Sequence, residues 1–171
     1  MQAFDSLSRD IQQYIYDKGW PSLTNIQSAA IKQVANTDHN IILSAPTASG
    51  KTEAAFIPAL NSVEDWDTGL KVLYISPLKA LINDQFQRIS ELSAYLDIPI
   101  TPWHGEVSQA QKKKVVNQPK GILLITPESI EGMLVNRPGE AQHLFKGVEW
   151  IIIDELHSFL GTERGIHLQS L

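Results

Sequence analysis

Residues Ser44–Thr52, reading S-A-P-T-A-S-G-K-T, constrain this chain more than any other stretch. The apolar run Ile41-Ile42-Leu43 leads into them, and Glu53-Ala54-Ala55-Phe56-Ile57 leads out with helical character. The spacing Ala45-x-x-x-x-Gly50-Lys51-Thr52 predicts a strand over 41–43, a tight wrap, and a helix start. In such a wrap successive backbone N–H groups converge on one concavity at a helix N-terminus, which suits a polyphosphate. Ala48, Ser49 and Gly50 would line that cradle. Lys51 brings a mobile positive charge to the β- and γ-phosphates, and Thr52 offers a hydroxyl ligand to Mg²⁺. Ala45 stands where a glycine is usual, and a β-carbon is tolerated there if φ is negative.

The rest of the composition narrows the surroundings. A chain of 171 residues, 43 % apolar and 19 % charged, can bury a globular core. There is no cysteine, which excludes a disulfide framework and any thiolate-held zinc or iron–sulfur centre. The net charge of −5 excludes nucleic-acid binding by bulk charge. Local amides, hydroxyls and a few cations would have to do that work. The basic run Lys112-Lys113-Lys114 reads as a solvated helix face. The N-terminal residues lack the basic and apolar regions of a signal peptide, and no apolar stretch reaches membrane-spanning length. A cytoplasmic protein without membrane partners is expected.

Along the chain, helical and strand patterns alternate. Leu7, Ile11, Tyr14 and Ile15 predict a helix within 5–18, stopped by Gly19-Trp20-Pro21. A second helix is predicted from about Asn25 to Ala35, with a capping box in Thr24-Asn25-Ile26-Gln27. The helix after the loop should run to about Val63, with a kink at Pro58. Strands are predicted at Lys71–Ile75, Ile98–Trp103, Gly121–Ile125 and Val148–Ile153. Helices should fill Leu78–Leu96, Gln109–Val116 and Glu128–Val135, with a turn at Asn136–Gly139 and a polar loop at Gly161–Gly165. The expected fold is an α/β domain with a mostly parallel sheet and helices on both faces. Its clusters of chemistry, Ser44–Thr52, Ser76-Pro77, Trp103–Glu106, Thr126–Ser129 and Asp154–His157, all fall at the carboxyl ends of predicted strands.

The last of these clusters closes the chemistry. Trp150-Ile151-Ile152-Ile153 is followed by Asp154-Glu155. Asp154 can face the Mg²⁺ shell while Glu155 orients and deprotonates the water that attacks a γ-phosphate.

Ala45–Thr52 together with Asp154-Glu155-Leu156-His157 resembles the first RecA-like domain of superfamily two helicases, in the D-E-x-H form. Ser76-Pro77-Leu78-Lys79-Ala80-Leu81 looks like motif Ia of that family, and Thr126-Pro127-Glu128-Ser129 like motif Ib. His104-Gly105-Glu106 resembles the segment between them, and Gly161–Gly165 is similar to the large helicase-related branch. The resemblance implies a RecA-like P-loop domain that binds ATP and Mg²⁺ and couples hydrolysis to movement on RNA or DNA. Catalytic roles are implied for Lys51, Asp154 and Glu155, and metal contacts for Thr52 and Asp154. Gln27 matches the glutamine that reads the adenine edge, and its capping-box role remains open beside that. Phe4 matches an aromatic that stacks on adenine, and core packing remains open for it. Pro77, Lys79, Ala80, Thr126, Pro127 and Glu128 are implied to grip a single strand's backbone, and His157 to couple the acid pair to a neighbouring domain. His104 and Arg164 are weaker matches. No Ser/Thr-Ala-Thr strand and no second RecA-like domain with arginine fingers is found before Leu171. The sheet is therefore expected to be incomplete at its C-terminal side, and the chain alone nearly inactive. The competing expectation is a nucleotide-responsive module that binds nucleic acid or a partner without unwinding.

Overall fold

The computed structural model describes residues 2–46 and 49–170, so Ala48 of the predicted cradle lies outside the described residues. The chain divides into two compact units, Met1–Glu64 and Asp65–Leu171.

The first unit is helical. A short 3-10 turn at Phe4–Ser6 precedes α1 (Arg9–Asp17), α2 (Asn25–Asn36) and α3 (Lys51–Ser62). The side chain of Ser8 caps α1 by accepting the Ile11 N–H. Thr24 and Gln27 form the predicted capping box on α2. α2 packs on α3, with Ala30, Ile31, Ala54, Phe56 and Ile57 buried. Asn61 ties the end of α3 to the N-terminal segment, accepting the Ser8 N–H at 2.6 Å and donating to the Ser6 carbonyl. Pro58 lies inside α3, which runs on to Ser62.

One expectation fails here. Residues 41–43 form no strand, and Ile42 is 81 % exposed. An extended apolar segment becomes a strand only when a neighbouring ladder takes its N–H and C=O groups, and no sheet exists among the described residues of this unit.

The second unit holds β1 (Gly69–Ile75), α4 (Lys79–Tyr95), β2 (Ile100–Trp103), α5 (Gln109–Asn117), β3 (Lys120–Ile125), α6 (Pro127–Asn136), α7 (Pro138–Phe145), β4 (Trp150–Ile153) and α8 (Glu163–Ser170). Among the described residues the sheet has the order β2-β3-β1-β4, and every pairing is parallel. Leu70, Leu73, Ile75, Leu123 and Ile125 face α6 and α7 through Ile130, Met133, Ala141 and Leu144. Val115 and Val116 of α5 join the same cluster. α4 connects β1 to β2 in the opposite direction across the sheet, so a right-handed crossover puts it on the other face.

α7 is a second departure from expectation. Arg137-Pro138-Gly139 reads as a breaker, yet Pro138 is the first residue of a helix. Proline suits that position because its missing N–H would have no intrahelical partner there. Ala141 and Leu144 then reach the core. β4 is an edge strand, and its Ile151 and Ile153 are exposed.

Candidate functional site

The phosphate loop ends at Gly50, whose φ of +83° lies in the left-handed region. A β-carbon at this position would come within 2.5 Å of Gln27 Nε2. Glycine is therefore required both by the backbone turn and by the closeness of Gln27. Gln27 is only 4 % exposed. Its Oε1 accepts the Thr24 N–H at 2.9 Å, and its Nε2 lies 3.5 Å from the Gly50 carbonyl. The capping box thus presses the start of α2 against the loop. Lys51 and Thr52 open α3 directly after Gly50, and Lys51 Nζ donates to the Ala45 carbonyl at 2.8 Å. The Ser49 hydroxyl is buried and has no hydrogen-bond partner among the described residues. A loop with an unspent hydroxyl, a lysine and a helix N-terminus has the donor set of a polyphosphate cradle. Phe4, half-buried, lines a cleft of about 480 Å³ with Trp20, Pro21 and Leu23.

In the second unit, Asp154 and Glu155 follow β4 directly. The Asp154 N–H continues the ladder by donating to the Ile75 carbonyl at 2.9 Å. Asp154 Oδ2 accepts the Tyr74 hydroxyl at 2.5 Å, and Oδ1 accepts the Glu155 N–H at 2.9 Å. Burial and the facing carboxylate push the Tyr74 phenol far above its usual range, so it stays a donor. A carboxylate has about four acceptor positions, and two single bonds leave Asp154 free to accept more. Its hard oxygens fit Mg²⁺, which takes one or two carboxylates together with phosphate and water. Among the described residues no cluster of three His, Asp or Glu forms an all-protein metal cage.

Glu155 has φ +50° and ψ +40°, a left-handed conformation that costs a non-glycine residue about 1 kcal/mol. His157 is exposed, with Nε2 3.4 Å from Glu155 Oε2.

The predicted backbone-binding residues occupy two neighbouring strand ends. β1 and β3 pair side by side as far as Ile75 and Ile125, and the Ser76 N–H donates to the Ile125 carbonyl. The chain leaves β1 for α4 on one face and β3 for α6 on the other, which makes this a topological switch point, the usual place for a ligand crevice. Pro77 lies on one side, just before Lys79 and Ala80 in the first turn of α4. That helix has no side-chain N-cap. Thr126, Pro127 and Glu128 are the cap and first turn of α6 on the other side, and the Thr126 hydroxyl accepts the Ser129 N–H.

Several partners were invisible in the sequence. Lys79 Nζ pairs with Glu106. His104 is buried, with Nε2 3.1 Å from Asn83 Oδ1 and Nδ1 accepting the Glu106 N–H. Nε2 therefore carries the proton of a neutral imidazole, and burial holds its pKa below the usual value. Tyr74 and Arg164 are the other two. Each reaches its partner across about 80 or more residues of sequence, beyond any spacing rule. Lys112 lies over the Trp103 ring at 5.7 Å, as suits the solvated face of α5.

The model of the DEAD/DEAH box helicase family matches residues 24–171. A stretch of 166 residues is 32 % identical to the ATP-dependent helicase Lhr-Core of Saccharolobus solfataricus, covering 89 % of this chain and 19 % of that protein. The Lhr helicase/uracil glycosylase of Escherichia coli is 35 % identical over 169 residues, which cover 85 % of this chain and 11 % of that protein. Among solved structures, Mycobacterium smegmatis helicase Lhr bound to ssDNA and AMP-PNP superposes with a TM-score of 0.84 at 28 % identity. That match covers 98 % of this chain and 22 % of the other. The chain spans about a fifth or less of the length of these relatives.

Proposed function

The chain belongs to the DEAD/DEAH box helicase family, and from that premise we propose that it is the ATP-binding domain of an ATP-dependent nucleic-acid helicase or translocase. One observation carries the coupling of hydrolysis to movement. Asp154-Glu155 directly follows β4, and the next two strands, β1 and β3, flank the switch-point crevice, so the acid pair and the crevice share the carboxyl end of one sheet.

In this reading Ser49, Gly50, Lys51 and Thr52, with Ala48 between them and Ala45, cradle the phosphates of ATP. Gln27 reads the adenine edge and Phe4 stacks on the base. Thr52 and Asp154 would hold Mg²⁺, which when bound would supply positive charge to offset that of the phosphates. Glu155 takes a proton from the attacking water as the bond to the γ-phosphorus forms and the bridging P–O bond breaks, giving ADP and phosphate. Lys51 offsets the charge that builds on the leaving oxygens. Pro77, Lys79, Ala80, Thr126, Pro127 and Glu128 meet the sugar–phosphate backbone of one strand, partly through the uncapped first-turn amides of α4. Such contacts position a strand without reading its sequence, which is what a motor that travels needs. His157, exposed beside Glu155, relays the state of the acid pair to a second RecA-like domain in the full-length protein. That second domain would supply the arginine fingers, and this chain alone would turn over little ATP. The ssDNA and AMP-PNP in the M. smegmatis Lhr structure support the same pair of ligands here.

The test is ATPase activity of the full-length protein with and without single-stranded DNA or RNA, together with opening of a labelled duplex. Stimulation by a strand and duplex opening are expected. A rate indifferent to both nucleic acids, with the duplex intact, would sink the helicase reading in favour of a nucleotide-responsive binding module.

A further inference from the structure

The crevice between the ends of β1 and β3 is bridged by the side chain of Arg164, at the start of α8. A terminal guanidinium nitrogen donates to the Pro77 carbonyl at 2.6 Å. Nε donates to Glu128 Oε1 at 2.7 Å, and the same terminal nitrogen lies 2.6 Å from that oxygen. One planar fork thus holds the loop after β1 and the first turn of α6, which leave the sheet on opposite faces.

The preceding segment is shaped to aim it. Thr162 Oγ1 donates to the Phe159 carbonyl at 2.9 Å and accepts the Gly165 N–H at 3.1 Å. A β-carbon at Gly165 would lie 1.9 Å from the Phe159 carbonyl oxygen, so only glycine lets α8 begin this close to the chain before it. The guanidinium then rests 5.8 Å from the centroid of the buried Phe159 ring.

An exposed ion pair by itself contributes little, and Arg164 and Glu128 are both substantially exposed. Two features set this one apart. The fork joins two separate loops, and it covers a carboxylate that stands on a surface meant for phosphates. A bare Glu128 would repel a polyanion, and Arg164 offsets that charge.

We propose that Arg164 is a positioning residue for nucleic acid: it holds the Pro77–Ala80 and Thr126–Glu128 loops as one surface and neutralises Glu128 so that a phosphate backbone can lie across them. This rests on the helicase reading above. The strand touches the loops, and Arg164 acts through them.

The experiment uses the full-length protein and a single-stranded oligonucleotide, DNA or RNA, whichever stimulates its ATPase. Arg164→Ala should raise the half-saturating oligonucleotide concentration about tenfold, the scale of losing charge-assisted hydrogen bonds. The KM for ATP and the unstimulated rate should stay at their wild-type values. Arg164→Lys should recover only part of the loss, because a lysine cannot make the two-pronged contact. Glu128→Gln placed on Arg164→Ala should restore affinity by removing the exposed charge. The dependence of log affinity on log salt should keep its wild-type slope. A slope flatter by about one would mean that Arg164 binds a phosphate directly and would overturn the proposal. So would an unchanged oligonucleotide requirement, or a KM for ATP that rises in step. Should Arg164→Ala lose its fold, Arg164→Gln carries the same comparison. Absence of any strand-stimulated ATPase in the wild-type protein would remove the helicase reading itself, a result distinct from failure of the variants alone.

Discussion

The Tyr74 hydroxyl donates to Asp154 Oδ2 at 2.5 Å, joining the penultimate residue of a buried strand to the first residue past its neighbour. The register explains the contact. Tyr74 sits opposite Ile152, and Asp154 is two residues further on, pointing to the same side of the sheet. The tyrosine fixes the rotamer of the carboxylate that faces the metal in the proposed site. Tyr74→Phe keeps the buried ring and loses this bond, so stability should fall by about 1.5 kcal/mol. ATP turnover by the full-length protein should fall about tenfold, with more Mg²⁺ needed for half-maximal rate. Titrating Mg²⁺ in a steady-state assay checks this. A turnover loss with an unchanged Mg²⁺ requirement would place the role of Tyr74 elsewhere.

Glu155 holds a left-handed backbone conformation that most side chains avoid. Strain of this kind persists where position matters more than stability. Glu155→Gln should keep nucleotide binding and cut turnover by about a hundredfold or more, as for the loss of a general base. Glu155→Gly should be about 1 kcal/mol more stable than Glu155→Ala, since glycine accepts the conformation without penalty, and both should be inactive. Urea unfolding of the two variants beside a fluorescent-nucleotide titration measures both halves.

The parts of this molecule that were legible in the sequence are those whose cause is local. The alternation of apolar runs and amphipathic stretches predicts β1, β3 and β4 within a residue or two, and the capping box at Thr24–Gln27 is as its spacing implies. Ile41–Leu43 has the pattern of a strand, but a strand is a property of a pair, and no ladder among the described residues receives it. α7 was hidden because Pro138-Gly139 is equally a turn and a helix start, and only the burial of Ala141 and Leu144 decides between them. Tyr74 and Asn83 carry no motif, and the motif that holds Arg164 says nothing of what it touches. Their partners are fixed by sheet order and register, which no window of sequence contains.

His104 makes the second unit sensitive to acid. Burial depresses its pKa, and its neutral form is engaged at both nitrogens, by Asn83 and by the Glu106 N–H. The unfolded chain then binds more protons than the folded one below about pH 6.5, so stability rises with pH through that window. It should be complete above the ordinary histidine value and fall as the pH drops below it. His104→Asn should flatten that part of the curve. Chemical unfolding at intervals from pH 5 to 8 reads the difference, and equal slopes for both proteins would remove His104 as the cause.

Gly50 and Gln27 should fail together. Gly50→Ala imposes a left-handed conformation on a residue with a β-carbon, costing about 1 kcal/mol. It also drives that carbon to 2.5 Å from Gln27 Nε2, so the carboxamide must leave the Thr24 N–H and the capping box opens, costing about 1 kcal/mol more. Gln27→Ala alone loses the box but keeps the loop. In the double variant the collision has no partner, so only the conformational term is added to the cost of Gln27→Ala. The cycle should therefore be non-additive by about 1 kcal/mol, as expected for residues in contact. Nucleotide affinity should follow a different pattern. It should fall with Gly50→Ala whether or not Gln27 is present, because the cradle depends on the turn at Gly50. Additive stabilities would mean that Gln27 moves aside without leaving its cap, and would separate the loop from the start of α2.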